Sequence, residues 1–567
     1  MELTLSGRLH EVIRQNSIRT IYEALVELVT NSEDAYSRVN KSRRDIWIEI
    51  KRHSELAKTS VNVIDQARGM TKTEMVDSLL TVGGYTATEG SRGFIGRGCK
   101  DCSFLGDITF TCIREGKINK LVIYQTRTVE ILIDDIEVTE EHRKLYNISE
   151  NGCHVNLVVA ESLVPPIETF YDSLKNNVYL RNIYSNSLVI VKEKEVGFDK
   201  RVTFTYPERK LVVSCDYDVP GYGTTARLEI YRSKTKMPFP KSTDQRQFAI
   251  NVQSSRTVFE NSALYYTGDS KVQDYIFNPN IQFISGTLWC DKIEQLAKDA
   301  IEGKITPENP YLVIDPNRRN GLMKDHPFTA ALYRYAYYML SIVIERVQDT
   351  REEDLLGDGN ASDILKSLSD FVNELIPGSS TMYAFRTHED QDKLNTLSET
   401  MKNVELDSDF LGLSWEQMQE LSRNKYLKFD ASNVQGNSFD ISFTQDPTVT
   451  TPYNILYLPG KISMKINTKD PSISPFISIN DGKVDLVNSG KSMTSIGNMV
   501  LDATTDLIVR RNIMQSQTSS LDINGFNEYQ YSYNSGRGTI APGIFSRVMS
   551  GIENFKSSDE VPSMTLT

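Results

Sequence analysis

A second close pair of cysteines is missing from this sequence. Its 567 residues hold six, at positions 99, 102, 112, 153, 215 and 290, and only Cys99 and Cys102 lie close together. No second pair completes a zinc site, so the expectation is buried thiols in a reducing compartment, with Cys99 and Cys102 in core packing rather than redox regulation. Long apolar runs are missing too. No stretch could span a bilayer, and the start MELTLSGRLHEVIRQNSIRT carries no secretory apolar segment, which points to a cytoplasmic protein. A basic excess is also absent. The net charge of -12 argues against a protein that coats nucleic acid over its whole surface. Local clusters such as KSRRD (Lys41 to Asp45) and RSKTKMPFPK (Arg232 to Lys241) leave a basic patch open.

What is present is ordinary globular material, 39% hydrophobic and 24% charged, in a chain long enough for several domains. Helical periodicity runs from Ser17 to about Arg38, followed by alternation in RDIWIEI (Arg44 to Ile50) and VNVID ending at Asp65. A glycine-rich stretch spans Gly83 to Gly98. Strand patterns then recur in DITFTCI, LVIYQT, VEILIDDIEV and CHVNLVVA, starting at Asp107, Leu121, Val129 and Cys153. A first α/β domain is expected over 1–200. A second α/β region over 201–348 includes RLEIYRS, QFAINVQSSRTVF and a long helix from His326 to about Val347. The acidic stretch QDTREEDLLGDGNASD opens a helical region over 349–445, a small mixed unit is expected over 446–515, and a weakly ordered tail over 516–567. No internal repeat is found.

The first helix poses the chemical question. At about 100° per residue, Ile18, Ile21, Tyr22, Leu25, Leu28 and Val29 cluster on one side, while Glu27, Asn31 and Asp34 fall within a narrow arc on the other. Taken alone, that arc reads as a solvated surface. Two later segments change the reading.

ELVTNSEDA (Glu27 to Ala35), DQARGM (Asp65 to Met70) and GFIGRGCK (Gly93 to Lys100) resemble, in order and spacing, the three nucleotide motifs of the GHKL ATPases. That superfamily includes gyrase, the ninety-kilodalton heat-shock chaperones, histidine kinases, MutL and microrchidia proteins. GMTKTEMVDSLLTVGG from Gly69 looks most like the chaperone and microrchidia branches, and GCHVNLVV from Gly152 sits where the family has Gly-Thr before a strand. The resemblance implies a Bergerat-type α/β sandwich that binds ATP with Mg2+. Asn31 would carry the metal through its amide oxygen, Glu27 would activate water, and Asp34 would support the pocket. Asp65 would accept the exocyclic amine of adenine. Gly69 would let backbone approach the base, and Met70 would pack against the ring. Gly93, Gly96 and Gly98 would permit a loop whose amides face phosphates, with Lys100 adding charge. Two departures stand out: Ala67 replaces the middle glycine of DxGxG and would narrow the room beside the base. Cys153 replaces the threonine and is a weaker hydrogen-bond partner.

Clamp-forming relatives follow the ATPase with a transducer domain whose basic residue reaches the γ-phosphate. VIDPNRRNGLMKDHPFTAALYRYAYYMLSIVIERV (Val313 to Val347) resembles the segment after the ATPase in stand-alone prokaryotic and viral GHKL proteins. Arg319 is the candidate sensor and Arg318 its reserve, an ordinary surface pair being the other reading. His326, before Pro327, reads as part of a helix cap. KISMKINTKDPSISPF from Lys461 resembles a short C-terminal unit of such proteins. The expected activity is slow Mg-dependent ATP hydrolysis driving a homodimeric clamp on a client protein or on DNA. A nucleotide-gated binding module with little turnover is the alternative. A histidine kinase is disfavoured, because no His-bearing dimerisation helix precedes the domain.

Overall fold

The computed structural model describes residues 18–80 and 98–356, with short breaks at 40, 42, 127, 241, 256, 269–270 and 316–320, and separate segments between 365 and 504. The chain divides into two units, Met1–Tyr337 and Tyr338–Thr567. It is a mixed α/β protein. No helix among the described residues is long and apolar enough to cross a membrane.

Helix α1 (Ile21–Ser37) begins at Thr20, whose extended backbone lets its hydroxyl accept from the Glu23 amide at 3.2 Å. Its buried stripe contains Ile21, Ala24, Leu25, Leu28 and Val29, and continues through Ser32 and Tyr36. This face packs on an eight-stranded sheet built from β1 (Asp45–His53), β2 (Lys58–Asp65), β3 (Gly106–Arg114), β4 (Lys117–Ile123), β5 (Val129–Glu137), β6 (Gly152–Ala160), β7 (Leu188–Glu193) and β8 (Phe198–Arg201). The strand order is β5-β4-β3-β6-β2-β1-β7-β8. Only the β1–β7 pair is parallel.

Period-two alternation decides which residues face α1. Ile46, Ile48 and Ile50 on β1, Val61 and Val63 on β2, Val155, Leu157 and Val159 on β6, and Ile108 and Phe110 on β3 are buried in one core with the α1 stripe. Removing a side chain from such a core, as in Leu25→Ala, costs roughly 2–5 kcal/mol. The same parity carries each strand one step further, to a polar rung at the sheet's end. There Asp65 pairs with Cys153, which pairs in turn with Cys112.

Helix α2 (Lys72–Leu80) follows β2. Thr71 and Glu74 exchange hydrogen bonds as a capping box, at 3.3 Å to the Thr71 hydroxyl and 3.0 Å to the Glu74 carboxylate. The short helix α3 (Gly98–Asp101) leads into β3, and α4 (Glu140–Tyr146), α5 (Ile167–Asn176) and α6 (Arg181–Asn186) complete the first layer.

The rest of this unit contains a second sheet. It includes β9 (Arg209–Val219), β10 (Thr224–Ser233), β11 (Ala249–Gln253) and β12 (Val258–Ser262); β13 (Tyr265–Gly268) and β14 (Lys271–Asp274) form a separate hairpin. With β15 (Ile284–Trp289), the order runs β12-β11-β15-β10-β9. QFAINVQSSRTVF holds the two strands β11 and β12. Ser254 folds the chain back there, its amide donating to the Thr257 carbonyl at 2.9 Å and its hydroxyl accepting from the Thr257 amide at 2.9 Å. Arg181 ties the two sheets together. Its buried guanidinium lies 4.0 Å from the Phe204 ring centroid and donates to the Tyr206 hydroxyl at 3.1 Å and the Arg246 carbonyl at 2.6 Å. Helices α7 (Lys292–Ile301) and α8 (Pro327–Leu356) follow. Buried His326 caps α8, with Nδ1 accepting from the Phe328 amide at 3.1 Å and Nε2 donating to the Tyr311 carbonyl at 3.1 Å. That pattern fixes a neutral tautomer, and burial holds the imidazole pKa below its ordinary value.

In the second unit, strands 439–444, 453–458 and 461–467 form a three-stranded sheet, and 477–480 pairs with 483–486. The region expected to be helical carries a strand pair, Thr381–Phe385 with Tyr426–Asp430. Aromatic and β-branched residues in these short segments favour a pleated surface over the helical period. Residues 505–567, which include the expected tail, lie outside the described residues.

Candidate functional site

The polar rung is closely held by hydrogen bonds. Asp65 is 3% exposed. Its carboxylate accepts from the Ser32 hydroxyl at 3.0 Å and from the Ala67 amide at 2.9 Å, with the backbone of Cys153 as a further donor. Burial pushes its pKa up to about 6, and the Ala67, Ser32 and Cys153 donors and the charge of Lys41 pull the other way without cancelling it. This carboxyl is therefore held by donors in a place where its charge is poorly solvated, which suits an acceptor for one more incoming donor.

The turn after Asp65 is fastened on several sides. The Gln66 amide donates to the Tyr36 hydroxyl at 2.8 Å, while Tyr36 itself donates to the Asp45 carbonyl at 2.6 Å. Lys41 donates to the Gln66 carbonyl at 2.6 Å, and the Gln66 side chain bridges to Asn147 and Ser149. Glu74 accepts from Arg68 within the turn and from Arg114 at the end of β3, the latter at 2.5 Å. Such cross-bracing leaves little reorganisation for a ligand to impose.

Glycine is required at two positions for reasons of space. Gly69 has φ +68°, and a Cβ there would lie 2.2 Å from the Ile113 carbonyl oxygen. A Cβ on Gly152 would lie 2.2 Å from the Asp65 carbonyl oxygen. The close approach at Gly69 is thus to the protein's own backbone, which already accounts for the glycine expected there for a base. Gly152→Ala should destabilise the fold by about 2 kcal/mol or more, because backbone rather than a flexible tip must move. Urea unfolding of the variant measures this; an unchanged midpoint would show that β2 and β6 can separate freely.

Ala67 is also placed differently from expectation. It is 1% exposed and its methyl belongs to the core beneath the sheet, so it is taken up by packing rather than narrowing an open space. Met70 is partly buried against the same core, with its sulfur 3.7 Å from the Ser78 hydroxyl.

The arc expected to be polar on α1 carries Glu27, Asn31 and Asp34. Asn31 is exposed, Glu27 partly buried, and Asp34 buried at 6% exposure. The Glu27 carboxylate fills the space beside Gly98, where a Cβ would meet its Oε2 at 1.8 Å and its Cδ at 2.4 Å. The glycine that opens α3 therefore makes room for the acid. Lys100 on α3 is buried at 4% exposure, beside fully buried Asp101. Cys153 stands with its sulfur 2.6 Å from that of Cys112. Gly93, Gly96, Arg318 and Arg319 lie outside the described residues.

Two contributors escaped the motif reading. Ser32 bonds Asp65 directly, and Tyr36 anchors the turn. A signal for both was present, since a serine and a tyrosine sit on the apolar stripe of α1 at positions continuous with Leu25, Leu28 and Val29. Among the described residues, no group of three or more His, Cys, Asp or Glu side chains could hold a metal ion. No family model matches the chain, and no curated protein matches it.

Proposed function

We propose that this chain is a GHKL-type ATPase whose first sheet and α1 form a Bergerat nucleotide fold, with the second sheet as a transducer-like domain. The observation that carries the reading is Asp65. It is a buried carboxyl at the end of β2, held by Ser32 and the Ala67 amide, with Gly69 beside it and the Glu27–Gly98 contact on the same side of the sheet. In this reading Asp65 accepts the adenine amine and Lys100 belongs to the phosphate end. Glu27 takes a proton from attacking water as the anhydride bond breaks.

Asn31 would hold Mg2+ by its amide oxygen, with triphosphate oxygens and waters as the other ligands. A single exposed amide fits an ion bound mainly through its nucleotide. When bound, the ion would spread charge developing on the phosphate oxygens.

The broader reading is a nucleotide-driven homodimeric clamp on a macromolecular partner, either a client protein or DNA. Calorimetric titration with a non-hydrolysable ATP analogue and Mg2+ should give saturable binding at one site per chain. Absence of binding overturns the assignment. Sedimentation of the same samples should show dimer growing with analogue, and a protein that stays monomeric at every concentration removes the clamp while leaving the nucleotide site. DNA binding measured against salt, with and without analogue, separates the two partner classes.

A further inference from the structure

We propose that Cys112 and Cys153 form an oxidation site, a dithiol that hydrogen peroxide closes to an intramolecular disulfide on the rung that ends in Asp65. The pair sits directly opposite on adjacent antiparallel strands, in the register Cys112↔Cys153 between β3 and β6. Directly paired residues of antiparallel strands have Cα atoms about 4.5–5.5 Å apart, inside the roughly 4.4–6.8 Å window of a disulfide. Both side chains point to the same face, as the next rung confirms: Phe110 and Val155 pair there, and both belong to the core. The two sulfurs are already 2.6 Å apart. Closure therefore needs only a small approach of side chains, with no shift of strands. Metal capture is the competing use for such thiols, and no suitable ligand group exists among the described residues.

The two thiols differ in access. Cys112 is buried and Cys153 partly exposed. An oxidant as small as peroxide reaches Cys153 first, leaving Cys112 as the resolving thiol. In the first step the Cys153 thiolate attacks one peroxide oxygen; an S–O bond forms, the O–O bond breaks, and hydroxide leaves to take up the thiol's proton as water. In the second, the Cys112 sulfur attacks the sulfenic sulfur; the S–S bond forms, the S–O bond breaks, and a second water leaves with the Cys112 proton. Two thiols are oxidised and one peroxide is reduced to two waters.

The groups facing Cys153 are Cys112, Asp65 and Cys99. The hydrogen bond with Cys112, burial, and these neighbours hold the Cys153 thiol well above its ordinary pKa. Thiolate is therefore scarce at neutral pH, and closure speeds up as pH rises.

The pocket side of the proposal rests on the nucleotide reading: a ligand against Asp65 also covers Cys153, whose backbone hydrogen-bonds that carboxyl. The test treats the full chain with peroxide, quenches with an alkylating reagent, and maps peptides by mass. The expected product joins the Cys112 and Cys153 peptides, forms in a Cys99→Ser variant as well, and forms faster at pH 9 than at pH 7. Cys153 driven to sulfinic acid with Cys112 still alkylatable, or a Cys99–Cys153 link, overturns the pairing. Saturating Mg2+ and a non-hydrolysable ATP analogue should slow closure at least tenfold. If the disulfide forms at the same rate with analogue present, the oxidation site stands and the placing of nucleotide over Cys153 falls.

Discussion

Asp65→Asn will remove nucleotide binding without unfolding the protein, weakening the affinity for an ATP analogue at least a hundredfold. A carboxylate offers acceptor positions only, so an incoming amine meets a matching partner. Ser32 and the Ala67 amide donate to different carboxylate oxygens, Oδ2 and Oδ1, so an asparagine that keeps the Ala67 bond places its NH2 on the Ser32 side, where the hydroxyl can turn to accept it, and offers the incoming amine a donor in place of an acceptor. A charge-assisted hydrogen bond is worth about 1.5–3 kcal/mol, and a hundredfold loss corresponds to about 2.7 kcal/mol. Stability should move the other way. The folded carboxyl has its pKa raised from 3.8 to about 6, so between those values the folded state binds more protons than the unfolded one. Stability contributed by this group is therefore lost as pH rises through that window, reaching about 3 kcal/mol of destabilisation above it. The amide carries no such penalty. Urea melts at pH 4 and pH 8 should show Asp65→Asn near wild type at the first and more stable at the second. Wild-type affinity for the analogue should fall as pH drops through about 6, because protonation turns one acceptor oxygen into a donor and removes the charge that strengthens the bond. Equal affinity of wild type and variant at pH 7.5 would remove Asp65 from the site and, with it, the observation on which the ATPase reading stands.

How far this arrangement could be read from the letters depends on the range of the interaction. Alternation alone places Asp65 on the face of Val61 and Val63, because parity along a strand is local. The α1 stripe is equally local, and its helix spans Ile21–Ser37 where periodicity suggested Ser17 to Arg38. Register between strands is not local. Nothing in the sequence near Cys112 says that it will face Cys153, and nothing near Gly152 says that its Cβ would strike Asp65. Both follow from strand order, which brings β6 between β3 and β2. Gly69 shows a related limit. Its need for a positive φ could be anticipated, but the atom that forbids a side chain, the Ile113 carbonyl oxygen, belongs to a strand about forty residues on. Short segments beyond residue 349 gave the least guidance, since an apolar run of five or six residues fits either period.

Glu27→Gln will leave analogue affinity within about twofold of wild type while lowering phosphate release roughly 10²–10⁴-fold, the usual contribution of a positioned general base. The amide keeps the shape that fills the space beside Gly98 but cannot take a proton from water. Position can be separated from basicity at the same place. A methyl on Gly98 would fall 1.8 Å from Glu27 Oε2 and 2.4 Å from its Cδ. Both atoms belong to the far end of a flexible side chain, so Gly98→Ala displaces the carboxylate instead of breaking the fold. A reacting group moved by about 1 Å can lose on the order of 10² in rate, so this variant should also turn over slowly, with its melting temperature little changed and its acid still present. The two variants differ in their response to pH. Glu27→Gln has no base left to titrate, whereas Gly98→Ala retains one and should keep the wild-type dependence of rate on pH at a lower level. Undiminished phosphate release from Glu27→Gln, with binding intact, would remove Glu27 as the base, and if wild-type release is itself no faster than uncatalysed hydrolysis, a nucleotide-gated binding module stands in place of a hydrolase, with Asp65 still accepting the adenine amine.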